Sequence, residues 1–93
     1  MAIEVLDKYK TFEDEIYRWI IVYDENIPEF CQNPTNHIEK FFKSDMGMFV
    51  EERAKGVERS LQENVVSPLI DTNIIVCCFM KEADIAYMSL KYA

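Results

Sequence analysis

Apolar side chains recur along this chain at spacings of three and four, the period of a helix that lays one face on a core. Within residues 2–26, Phe12, Ile16, Trp19, Ile20 and Tyr23 fall on one such face, with Asp14, Arg18 and Glu25 opposite. Thr11 followed by Asp14 resembles a capping box, so the segment reads as one long helix or two broken near Thr11. Ile21 and Val22 break the scheme: Ile21 projects among the charges and Val22 lies at their edge. The helix should stop before Pro28, whose ring disfavours the α conformation at Ile27.

Asn33 and Pro34 then read as a cap and a first helical position, where a missing N–H costs nothing. Ile38, Phe41 and Phe42 give that short helix its apolar side. Residues 46–65 carry the clearest amphipathic pattern, with Val50, Ala54, Val57, Leu61 and Val65 in register. Gly56 sits inside it, and with Ser60 four residues on it makes a small surface that could admit a close neighbour.

The last quarter supports two readings. Ser67-Pro68 is a good helix start, and Ile75, Phe79, Ala83, Ala86, Leu90 and Ala93 form one helical stripe. Residues 73–80 also make an acceptable buried strand, with Ala86, Met88, Leu90 and Tyr92 alternating as a second strand would. Lys81 to Asp84 supply no glycine or asparagine for a hairpin turn, which favours helix. The predicted fold is therefore all-α: one domain over residues 1–93, a bundle of three to five helices. The alternative is an α+β body with a C-terminal hairpin at about 73–92.

Composition narrows the function classes. With two glycines and one histidine in 93 residues, the chain has no phosphate-cradling loop and no multi-histidine metal site. The formal net charge is −7, of which residues 1–30 carry −5. An acidic body repels phosphate backbones and anionic lipid, so neither direct nucleic-acid binding nor a membrane partner is expected. The longest uncharged run near the C-terminus, Thr72 to Met80, falls far short of the roughly 20 residues that span a bilayer. No signal peptide is read at Met1-Ala2-Ile3-Glu4, and three cysteines, two of them adjacent, argue against a disulfide framework. A reducing, cytoplasmic location is the expectation.

Candidate chemistry is thin. Glu13-Asp14-Glu15 and Glu51-Glu52 are consecutive, so on a helix they diverge rather than converge on an ion. Cys31, His37, Cys77 and Cys78 have poor spacing for zinc, and a Cys31–His37 nucleophile pair has no nameable third group. No catalytic residue, metal site or cofactor is assigned. The basic cluster Lys40, Lys43, Arg53, Lys55 and Arg59 is interleaved with acids and reads as mixed surface.

One patch stands out. Tyr17 and Ile21 turn away from the apolar stripe, framed by Asp14, Arg18 and Asp24, an apolar centre with a polar rim. Together with Gly56 and Ser60 these are the candidate interface residues. The functional expectation is a non-enzymatic protein–protein interaction module, self-associating as a homodimer and acting as an adaptor or inhibitor of a larger protein. Two alternatives stand beside it: an acidic decoy that imitates DNA and occupies a nucleic-acid-binding protein, and a small metal-dependent enzyme using helix-borne carboxylates.

Overall fold

The computed structural model describes residues 3–28, 34–66 and 69–92. Its elements run β1 (Glu4–Phe12), β2 (Glu15–Pro28), α1 (Pro34–Lys43), α2 (Asp45–Arg53), β3 (Gly56–Val66), β4 (Leu69–Lys81) and α3 (Glu82–Tyr92). The four strands form one antiparallel sheet in the order β1-β2-β4-β3. This overturns the all-α bundle: the molecule is α+β, with a sheet where the helical reading placed residues 2–26 and much of 46–65. Of the C-terminal alternative, the α+β class and the strand at residues 73–80 stand, as part of β4, but the hairpin does not. Residues 82–92 are helix, and the strand that pairs with β4 along its other edge is β3, which precedes it.

The reason lies in side-chain shape and in the arithmetic of spacing. β2 holds Ile16, Tyr17, Trp19, Ile20, Ile21, Val22 and Tyr23, β-branched and aromatic residues that suit a pleated surface. A strand apolar on both faces matches any period, the helical one included. In β3 the deciding spacings, Val57 to Leu61 to Val65, are steps of four, and four is even, so they also keep one side of a strand. The odd step from Ala54 to Val57 crosses from the end of α2 into β3.

β1 and β2 join through Glu13 and Asp14, both at positive φ (49° and 65°). That is the twist a two-residue hairpin needs, so Asp14 is a turn residue and caps no helix. Ser44 separates α1 from α2; its backbone N–H donates to the Phe41 carbonyl at 3.0 Å, and its hydroxyl accepts from the Gly47 N–H at 3.1 Å. The Asn33 cap and Ser67-Pro68 lie outside the described residues.

All three helices cover one side of the sheet. Ile20 and Val22 of β2 and Val76, Cys78 and Met80 of β4 meet Phe41, Met46, Val50, Ile85 and Met88 from the helices. A smaller cluster of Ile27, Ile38 and Ile74 extends this core along the sheet. In α3 the inward residues are Ile85 and Met88, whereas Leu90 of the expected stripe is 89% exposed. The register slips between Ile21 and Tyr23, leaving Val22 as an extra, fully buried residue. Among the described residues no helix is long and apolar enough to cross a membrane.

Candidate protein-binding face

The other side of the sheet has no helix over it among the described residues. Pairing fixes which residues share it. Lys10, Tyr17 and Lys81 make one row, and Trp19, Phe79 and Gly56 the next. Glu4, Ile21, Cys77 and Glu58 follow, then Asp24, Ile75 and Ser60, then Asn26, Asn73 and Gln62.

At the hairpin end the rings gather. The Phe79 ring lies 5.5 Å from that of Tyr17, stacked, and 5.3 Å from that of Trp19, tilted. Phe12 meets Tyr17 and Phe79 edge-on at 5.6 and 6.0 Å. These are preferred aromatic geometries, each contributing about 0.5–1.5 kcal/mol beyond area burial. The Lys55 ammonium lies 5.2 Å from the Phe12 ring centre and 5.3 Å from that of Tyr17, in cation–π range. A shallow depression of about 440 Å³ opens here between Lys10, Phe12, Trp19, Lys55, Gly56 and Phe79. Phe79 is covered by its neighbours, whereas Phe12 stays 40% exposed.

Beyond the rings the face turns acidic, then amide-rich. The Cys77 thiol is held above its ordinary range by burial first, then by the carboxylates of Glu58, Asp24 and Glu4, with Lys8 acting in the opposite sense. Three strands thus bring their charges to one point beside the Cys77 thiol of β4. Farther along, the Asn26 amide donates to the Asn73 side-chain oxygen at 2.6 Å, and that of Asn64 to Asp71 at 2.9 Å.

Five of the seven candidate interface residues lie on this face: Tyr17, Ile21, Asp24, Gly56 and Ser60. Arg18 does not. It pairs with Met80 on the helix side, 3.7 Å from Glu82 of α3 and 5.3 Å from the Tyr9 ring centre. Asp14 stands at the hairpin turn. The basic cluster is divided too: Lys55 reaches the open face, whereas the Arg59 guanidinium lies 4.5 Å from the Phe42 ring centre on the helix side. Trp19, expected in the core, and Phe12, Phe79, Lys10 and Lys55 were not assigned to an interface from the sequence. Strand parity at Tyr17, Trp19 and Ile21 is the signal that groups them.

For chemistry the arrangement offers little. Cys77 and Cys78 are consecutive in a strand and project to opposite faces, so they do not share a metal ion. Burial pushes the Cys78 thiol up to about 12, which leaves it protonated and inert at neutral pH. Cys31 lies outside the described residues, and among those described no three His, Cys, Asp or Glu side chains converge as metal ligands. No family model, curated protein or solved structure matches the chain.

Proposed function

We propose that this chain is a non-enzymatic binding protein that acts by occupying a surface of a larger protein. The surface it occupies is basic, of the kind a nucleic-acid-binding protein offers to phosphates. The observation that carries this reading is the state of the acids on the β1–β2 ribbon. Glu4, Asp7, Glu13, Asp14, Glu15, Asp24 and Glu25 stand there against Lys8, Lys10 and Arg18. Among the described residues, Glu15 is the one of these seven carboxylates in an ion pair, to Lys81 at 3.0 Å. Unneutralised carboxylates on an edge ribbon are what an electrostatic imitation of a phosphate strand requires. The turn adds to this, since Glu13 holds a positive φ that asparagine or glycine would hold more cheaply.

The test is capture of proteins from a lysate on the immobilised chain, followed by elution with duplex DNA at constant ionic strength. Specific elution of a DNA-binding protein, lost in a D7N/E13Q/D14N variant, is the expected result. A captured set indifferent to both duplex and variant overturns the decoy. A plain adaptor reading, in which the apolar sheet face meets the partner, is favoured by the exposed Phe12 ring packed against Tyr17 and Phe79. A complex of that kind survives salt, which screens charge but not apolar contact.

A further inference from the structure

We propose that the uncovered sheet face is the contact surface of a two-fold homodimer, in which the lysine end of one copy lies over the carboxylate band of the other. This goes beyond the decoy reading, which rests on the ribbon's edge and turn.

The argument begins with polarity along the strands. Lys10 and Lys55 mark one end of the face, and Glu4, Asp24 and Glu58 cross it two to three rows away. Between the lysines and Asp24, on the two central strands, lie Trp19, Phe79, Ile21 and Cys77, an apolar centre that Glu4 and Glu58 flank from the outer strands. A surface positive at one end and negative at the other is complementary to itself when turned about a two-fold axis, the condition an isologous interface must meet.

Here the axis runs across the strands, between the Trp19–Phe79 row and the Ile21–Cys77 row. It places the first of these rows over the second in the partner copy. Each strand then lies over its own copy, so Lys10 comes one strand to the side of Asp24 and Lys55 over Glu58, each pairing made twice. The rings cover Ile21 and Cys77, and two such faces pack at about 10 Å.

Size agrees. From Asp71 to Lys81, β4 is flanked by β2 throughout and by β3 as far as Phe79, with β1 beyond β2 opposite Glu15–Ile21 alone, a face of roughly 600 Å² at about 3.3 Å per residue and 4.8 Å per strand. A stable interface buries about 800 Å² per partner. The same charges argue against a strand of nucleic acid on these rings, because Glu4, Asp24 and Glu58 would meet its phosphates.

The experiment is sedimentation equilibrium on the full chain and three variants, each checked for native far-UV circular dichroism. Wild type is expected to dimerise at micromolar concentration. Lys55→Glu is expected to weaken the dimer about tenfold or more, since it sets like charges opposite each other twice. The double variant K55E/E58K exchanges the two charges and should recover most of that loss, a rescue that a merely structural Lys55 would not produce. Ile21→Asp puts an uncompensated charge in the apolar centre and should give folded monomers. A wild type monomeric at all concentrations overturns the inference, as does a double variant no better than Lys55→Glu. Quenching of Trp19 fluorescence by single-stranded oligonucleotide, without dimerisation, would mark the face as a stacking platform and overturn it too. None of these results depends on elution by duplex DNA, so dimer and decoy stand or fall separately.

Discussion

Replacing Gly47 with alanine would set a methyl carbon 1.9 Å from the Phe41 carbonyl oxygen and 2.6 Å from the carbonyl carbon. Side-chain carbons keep at least 3.0 Å from such atoms, so the two backbones must part by about 1.1 Å. They have little room to do so. Ser44 ties the turn between α1 and α2 through Phe41 and Gly47, and Phe41, Met46 and Val50 on either side all lie in the core. Alanine recovers about 1 kcal/mol of helix propensity. Overpacking a filled interior costs about 1–3 kcal/mol and more when the obstacle is backbone, so the net loss should be about 2–4 kcal/mol. For a domain of this size that lowers Tm by about 10 °C or more. Thermal melts at one fixed protein concentration measure it, with Gly56→Ala as the control. There the added carbon meets Trp19 Cη2 at 3.6 Å and Phe79 Cβ at 3.9 Å, ordinary contacts, and Tm should stay within a few degrees. A Gly47→Ala protein that melts with wild type, or a Gly56→Ala protein that falls as far, refutes the close approach of α1 and α2.

Two further predictions follow from the turn and from the buried ionisable groups. Changing the hairpin turn with E13N/D14G supplies residues suited to positive φ and should raise stability by about 1 kcal/mol, read as a higher urea midpoint; an unchanged or lower midpoint contradicts the turn. Cys78 is raised from 9.0 to about 12 by burial, and Tyr23 from 10.0 to about 12 by burial and then by its hydrogen bond to Glu25. Between pH 9 and 12 the unfolded chain therefore releases protons that the folded chain keeps, so the stability from these groups is full below pH 9 and declines as pH climbs towards 12. Urea midpoints that hold constant from about pH 8 to 11 would overturn it.

What the sequence made legible depended on where two periodicities agree. Ile38, Phe41 and Phe42 face inward on a real helix, because α1 is amphipathic and nothing there competes with the 3.6-residue period. In β2, Tyr17 and Ile21 share a side under either reading, being four apart. Asp24 joins them because the extra residue at Val22 shifts strand parity by one. A helix and a bulged strand thus group the same three residues for unrelated reasons. Arg18 and Asp14 separate the two readings, and the strand sends both elsewhere. The ring cluster was out of reach because Phe12 and Phe79 lie far apart in the chain and meet only through the β1-β2-β4 pairing.

The strand order also governs how the molecule assembles. β4 comes last among the strands yet occupies a central position, so β3 has no partner on either edge until residues 69–81 exist. Each ribbon closes locally, β1 with β2 and β3 with β4. The seam between them joins positions as close as Pro28 and Asp71 and as distant as Tyr17 and Lys81. Closing a loop of that length costs entropy before any burial offsets it, so docking of two preformed ribbons is the slow step. Until it happens, Ile20 and Val22 on one ribbon and Val76 and Cys78 on the other are open to water. The half-made chain is therefore the species at risk of aggregation, and its lifetime is set by one seam.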